Sequence, residues 1–155
     1  MNSPLHHQVN AVLERFAAHV GLSVCTLDEE GGAQLALDDV LVSLLVDDSA
    51  GTLLLLSSIG QPEPTVQTYA SLLDANLFWS GTGGATLARE ASSGSIVLQH
   101  ALPVAGLDLD PFETALQGFV DTVEWLRAVL EADGAPIEPA ETNGRALTPQ
   151  HVIRA

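Results

Sequence analysis

The fold is decided by the stretch Tyr69–Val104, which reads YASLLDANLFWSGTGGATLAREASSGSIVLQHALPV. It predicts a helix, a glycine-rich turn and two strands, and the apolar residues of the helix are Leu72, Leu73, Leu77 and Phe78. The glycines of Gly81–Gly84 predict the end of this helix, because glycine favours left-handed conformations that a helix interior does not use. Ala85–Glu90 and Ser95–Leu102 predict a β-hairpin that turns around Ser92-Ser93-Gly94.

The residues before this stretch predict one helix and three strands. Ser3 and Pro4 are typical of an N-cap followed by proline in the first turn. Apolar residues then recur at helical spacing until Gly21 ends the pattern: Leu5, Val9, Val12, Leu13, Phe16 and Val20. Beyond this helix, acidic and glycine-rich turns separate short runs of valine and leucine. These runs predict an antiparallel meander of Ala33–Leu37, Val40–Val46 and Thr52–Ile59.

The second and third of these strands are apolar on both faces. Val40, Val42, Leu44 and Val46 alternate with Leu41 and Leu45, while Leu53 and Leu55 alternate with Leu54 and Leu56. An antiparallel sheet with one solvated face should instead alternate apolar and polar residues. Either helices cover both faces, therefore, or one face is left for a partner.

After the hairpin, Asp110, Pro111 and Glu113 predict the start of a third helix, with Asp110 as N-cap, that runs to about Leu130. The resulting fold class is α+β, in the order α-β-β-β-α-β-β-α, with a twisted antiparallel sheet. Gly134 and three prolines beyond Ala132 are typical of an irregular segment. We predict one domain over residues 1–131 and a flexible C-terminal tail over residues 132–155.

Composition limits the possible partners. The 155-residue chain has a formal net charge of −15, with 20 acidic residues against five arginines and no lysine. Neither a nucleic acid backbone nor an anionic membrane surface is therefore an expected partner, whereas a basic protein segment is compatible. The single cysteine, Cys25, excludes an internal disulfide and favours a reducing compartment. The longest apolar runs, around Val40–Val46 and Leu53–Leu56, are too short to span a bilayer, and we expect a cytoplasmic protein.

In combination, two groups of residues resemble the class I chaperones of type III secretion, the Tir-chaperone or CesT-like family. The first group runs from Leu72-Leu73-Asp74-Ala75-Asn76-Leu77 through Gly81-Thr82-Gly83-Gly84-Ala85 and Leu87 to Ile96-Val97-Leu98. The second is Leu107-Asp108, Phe112-Glu113, Leu116, Phe119-Val120 and Glu124-Trp125. The resemblance covers roughly residues 3–131, and the order of elements agrees over that length.

The resemblance implies a bacterial, cytoplasmic, non-enzymatic homodimer that needs no cofactor and serves virulence. Its client would be the N-terminal segment of a secreted effector, bound in extended form, and the ATPase of the secretion system is a further partner. The resemblance implies effector-binding residues between the first helix and the first three strands: Val12, Phe16, Leu35, Leu37, Leu41 and Leu45. It implies a dimer interface on the second helix and the strand after the glycine turn: Leu72, Leu73, Asn76, Leu77, Phe78, Trp79 and Leu87.

Two other functions stay open. A constitutive structural dimer without a client would cover the apolar sheet face with its own tail. A small carboxylate-dependent enzyme would use the abundant acids, although no base–nucleophile pair is visible. The glycine turn is not arranged as a phosphate loop, because it follows a helix and no lysine comes after it. Asp108, Asp110 and Glu113 could be metal carboxylates, but helix capping explains Asp110 and Glu113 more simply. Cys25 is best explained as a small apolar strand residue.

Overall fold

The computed structural model describes residues 3–132 and the backbone of residues 152–154. Three helices and six strands follow one another as α1 Pro4–Val20, β1 Gly32–Leu37, β2 Val40–Asp47, β3 Thr52–Gly60, α2 Val66–Asn76, β4 Thr86–Arg89, β5 Ile96–Pro103, α3 Leu109–Glu131 and β6 Val152–Arg154. A single 3₁₀ turn, Leu77–Trp79, continues α2. The α+β class and the predicted order of elements are confirmed, and β6 is added at the end.

All strands form one antiparallel sheet in the order β4-β5-β3-β2-β1-β6. The core lies on one face of this sheet, where α1 and α3 pack together. Phe16 of α1 meets Phe112 of α3 edge to face, with 5.4 Å between the ring centroids. Such T-shaped pairs add about 0.5–1.5 kcal/mol beyond the burial of the rings. The two helices therefore cover only this inner face of the sheet.

The third helix begins two residues earlier than predicted. Its N-cap is Asp108 and not Asp110, because Asp108 has an extended backbone and its carboxylate accepts the N–H of Leu109 at 2.8 Å. Arg15 of α1 also bonds to Asp108. The pKa of the Asp108 carboxyl is lowered mainly by the hydrogen bond from the Leu109 N–H and to a smaller extent by Arg15. Pro111 still lies within the first turn, where a missing N–H costs no helical hydrogen bond.

The second helix ends before the glycines that were predicted to stop it. α2 ends at Asn76, and Phe78 and Trp79 then adopt φ angles of +54° and +53°. Left-handed conformations of large L-residues cost about 1–2 kcal/mol each. The chain reverses at these two aromatic residues, and the glycine turn only completes the reversal.

The predicted tail falls largely outside the described residues. Residues 133–151 and residue 155 belong to that part, so its predicted flexibility stays a prediction. Val152–Arg154, within the same segment, forms β6 and pairs with β1.

Candidate functional site

The outer face of the sheet carries apolar side chains that no helix covers. Burial alternates along β2 and β3, and Leu41 and Leu45 keep 50% and 41% of their surfaces exposed. Leu45 lies opposite Leu54, and Leu54 and Leu56 are half-buried. We call these four residues the outer sheet patch.

A groove runs beside the outer sheet patch. It has a volume of about 600 Å³ and lies between the segment that follows α1 and the strands β1, β2 and β3. Val24, 65% exposed, forms one wall, while Leu45 and Leu56 form the other. Polar groups of Asp28 and Gln34 lie at its margin. An apolar side chain entering this groove would leave water without displacing any part of the fold.

A second apolar surface lies on α2 and the turn after it. Val66, Leu73, Leu77, Phe78 and Trp79 are 88%, 69%, 63%, 84% and 55% exposed. We call these five residues the α2 patch. Val66, Leu73 and Leu77 are seven and four residues apart, a spacing that aligns them on one side of a helix. Exposed apolar clusters of this kind on a soluble domain mark interaction sites.

Strain in the backbone supports a functional reading of the α2 patch. Phe78 and Trp79 lie in the left-handed region, and their side chains are nevertheless mostly exposed. A conformation that costs energy and also exposes aromatic rings is not explained by the stability of the subunit. Conformations of this kind concentrate at functional sites.

Asn76 joins α2 to β4. Its amide nitrogen donates to the backbone carbonyl of Leu87 at 2.9 Å, and its carbonyl oxygen accepts the Leu87 N–H at 2.8 Å. A cavity of about 250 Å³ lies beside this pair and is lined largely by apolar residues of α2, β4 and β5. The amide thus fixes the α2 patch relative to the sheet.

The predicted effector-binding residues divide into two sets. Val12, Phe16, Leu35 and Leu37 are at most 4% exposed and belong to the core under α1 and α3. They have almost no surface left for a partner. Leu41 and Leu45 lie on the outer sheet patch. Sequence reasoning left Leu54, Leu56 and Val24 out of the predicted set, although the alternation of β3 already placed Leu54 and Leu56 opposite the buried Leu53 and Leu55.

The predicted dimer-interface residues also divide. Leu73, Leu77, Phe78 and Trp79 are exposed in the α2 patch, while Leu72 and Leu87 are buried beneath it at 6% exposure each. Asn76 is half-buried and bonded to Leu87. The predicted set did not include Val66, which is the most exposed large apolar residue within residues 3–132. Its position at the first turn of α2, in line with Leu73 and Leu77, was the available signal.

The surroundings of Cys25 and of the glycine turn are those of residues that serve the fold. Burial raises the pKa of the Cys25 thiol to about 11, so the side chain is neutral and unreactive near neutral pH. The glycine turn packs on α3, where a Cβ at Gly83 would lie 2.8 Å from the Thr122 hydroxyl. Within residues 3–132, no three His, Cys, Asp or Glu side chains are grouped for a metal ion. No helix of the described part could cross a membrane.

A small α+β domain with an uncovered sheet face and an exposed aromatic helix end is a protein-binding module. The family model of the Tir chaperone protein (CesT) family matches residues 11–127, and the chain belongs to this family. The Tir chaperone of Escherichia coli O157:H7 is 25% identical over 128 residues, which are 82% of each chain. The resemblance seen in the sequence is therefore confirmed.

Solved structures share the fold. A chain of the ExsC–ExsE complex superposes with a TM-score of 0.74 and is 29% identical, covering 83% of this chain and 97% of the other. A chain of the complex of the Yersinia pestis type III secretion chaperone SycH with a fragment of YscM2 gives a TM-score of 0.61 at 23% identity. That match covers 76% of this chain and 98% of the other.

Proposed function

We propose that this protein is a cytoplasmic, non-enzymatic chaperone of type III secretion. It binds the N-terminal segment of a secreted effector in extended form and keeps it soluble until export. The observation that carries this proposal is the outer sheet patch, a row of leucines that the subunit leaves uncovered. Family membership supports it, as do related structures such as the HopA1–SchA chaperone–effector complex, which has the same fold.

The geometry of the outer sheet patch suits an extended client. Leu41 and Leu45 lie four residues apart on one strand, which corresponds to about 14 Å at roughly 3.4 Å per residue. An extended peptide places side chains of one face at about half that interval. Alternate apolar residues of a client can therefore cover both leucines, and the groove at Val24 accepts a further side chain. Main-chain pairing at a sheet edge would add affinity that does not depend on client sequence.

The same proposal assigns the α2 patch to a homodimer. In a two-fold dimer each residue of the patch is used twice, once on each subunit. Aromatic residues are enriched at the cores of such interfaces, and Phe78 and Trp79 are the exposed aromatic rings of this surface. The predicted residues Leu72, Asn76 and Leu87 would support the interface from below, while Leu73 and Leu77 would form part of it.

The net charge of −15 fits a client segment with an excess of lysine and arginine. Such a segment would be attracted over a distance set by the ionic strength, about 8 Å at physiological salt. The same charge keeps free dimers apart and soluble. The ATPase of the secretion system remains a proposed further partner, for which no particular surface is assigned.

The two competing functions have weaker support. The Asp47 and Asp108 carboxyls have lowered pKa values, mainly through hydrogen bonds from Ser49 and from the Leu109 N–H. A lowered pKa keeps a carboxylate ionised and is the opposite of what a general acid needs.

In the client-free dimer the tail would cover the outer sheet patch, but its described residues, Val152–Arg154, lie at the edge of β1.

The test is co-expression with the protein encoded beside it. We expect a complex that survives gel filtration, with a mass by light scattering that corresponds to two copies of this chain plus the client. The control is the same client expressed alone, which should aggregate. A chaperone that stays monomeric at micromolar concentration would refute the homodimer. A soluble client that never associates with the chaperone would refute the chaperone function for that pair.

A further inference from the structure

The two edges of the sheet differ in their availability. At the β4 edge, the amide of Asn76 bonds to both backbone groups of Leu87 and takes the position of a neighbouring strand. A peptide strand arriving there would have to break two hydrogen bonds to a half-buried side chain. The β4 edge is therefore closed by the subunit itself at its centre.

The other edge is the outer side of β1. At its start, Asp28 bonds to both backbone groups of Gly32, with distances of 2.7 and 2.8 Å. At its end, β6 pairs with β1 through Ala36 opposite Arg154 and Leu37 opposite Val152. Within the part of the chain that the structure describes, no strand residue pairs with residues 33–35 on this side. The β1 edge is thus covered at both ends and open in the middle.

We propose that β6 is a self-bound substitute for the client strand: it occupies the end of the β1 edge in the free chaperone and must leave when the client pairs there. This inference rests on the proposed function. It follows from the closure of the β4 edge, which leaves β1 as the edge for main-chain pairing, and from the position of the chain's own C-terminal residues on that edge.

Pairing of this length is strong enough to protect the edge and weak enough to be displaced. Each net hydrogen bond changes the pairing equilibrium by only about two- to twelvefold, and β6 has only three residues. Its attachment to the same chain keeps β6 close to this edge and favours its return over the binding of a free peptide of the same length. A longer client strand can begin on residues 33–35 and then replace β6 one pair at a time.

Covering part of the β1 edge with β6 also reduces the risk of aggregation. An uncovered sheet edge pairs readily with other chains and promotes aggregation. A chaperone that waits for its client must expose such an edge and yet remain soluble. A short, replaceable strand of its own satisfies both requirements.

The first test needs no client. Hydrogen exchange at residues 33–38 is compared between the full chain and a chain that ends at His151. Loss of about one net hydrogen bond should speed exchange of the protected amides by about three- to tenfold. Ile153→Pro, which removes a strand N–H, should act in the same direction, and Ile153→Ala should not. Equal exchange in the full and shortened chains would overturn the proposal.

The second test measures competition, with the N-terminal segment of the co-encoded secreted protein as probe. Its affinity should rise by a similar three- to tenfold factor for the shortened chain and for Ile153→Pro, because β6 no longer competes. Equal affinity for all variants would overturn the proposal even if exchange changes. Failure of the probe to bind any variant counts against the proposed function, and the exchange experiment then decides on β6 independently.

Discussion

Replacement of Leu77 by aspartate is the sharpest test of the α2 patch. The side chain is 63% exposed in the subunit, so the change should leave the fold of the monomer intact. Full burial of a leucine is worth about 1.5–3 kcal/mol. Covering the exposed part in a dimer therefore contributes about 1–2 kcal/mol per subunit and about 2–4 kcal/mol for two symmetric copies.

The introduced carboxylate adds to this loss, because an unpaired charge in an apolar interface costs several kcal/mol. The loss of burial alone raises the dissociation constant about 30- to 900-fold. Light scattering across a micromolar concentration series should show a monomer for Leu77→Asp, with an unchanged circular dichroism spectrum.

The matched control is Gln67→Asp, an exposed position of α2 that lies about 100° around the helix from its neighbour Val66. It introduces the same charge on the same helix and should remain dimeric. If Leu77→Asp dimerises as tightly as the parent chain, the α2 patch is not the interface. If both variants dissociate, general charge repulsion rather than local burial explains the result.

Three further outcomes follow from particular contacts. Leu41→Asp should weaken client binding about tenfold or more with little effect on the unfolding midpoint, whereas Ala18→Asp, on the exposed side of α1, should change neither. If a titration gives Leu41→Asp the same client affinity as the parent chain, Leu41 is not part of the binding surface. Asn76→Ala leaves both backbone groups of Leu87 without their partner and should lower the free energy of unfolding by about 1–3 kcal/mol, whereas Asn76→Asp should lower it less because it keeps the acceptor. A urea titration in which both variants are as stable as the parent chain would refute this. Burial raises the pKa of the Cys25 thiol from 9.0 to about 11, so its contribution to stability is complete below pH 9 and should be lost as pH rises from 9 to 11, because the unfolded chain releases the proton first. Cys25→Ala should abolish that part of the pH dependence of the free energy of unfolding, and an identical pH profile would contradict this.

The elements were predictable because their signals are local. Helical spacing from Leu5 to Val20 and the turn residues between the strands depend on neighbours in sequence. The cap of α3 was not predictable from local signals, because Asp108 and Asp110 have the same local character. Asp108 also bonds to Arg15, which is distant in sequence. A tertiary contact of this kind is not visible in the sequence around the cap.

The membership of the outer sheet patch was half predictable for a related reason. Alternation separates Leu41 and Leu45 from Val42 and Leu44, but it does not say which set faces the helices. The resemblance joined Leu35 and Leu37 to Leu41 and Leu45 as one site, whereas β1 contributes the first two to the core. Strand β6 had no signal at all, because three residues carry too little pattern to predict a strand.

The two apolar surfaces have different relations to stability. The outer sheet patch needs no strain, since Leu41 and Leu45 alternate regularly with buried residues on the same strand. The α2 patch requires left-handed backbone at Phe78 and Trp79, a cost of about 1–2 kcal/mol per residue that the isolated subunit does not recover. A permanent partner can offset such a cost continuously, whereas a transient one cannot. The strained surface therefore suits a second copy of the chain, and the unstrained surface suits a client that is released at export.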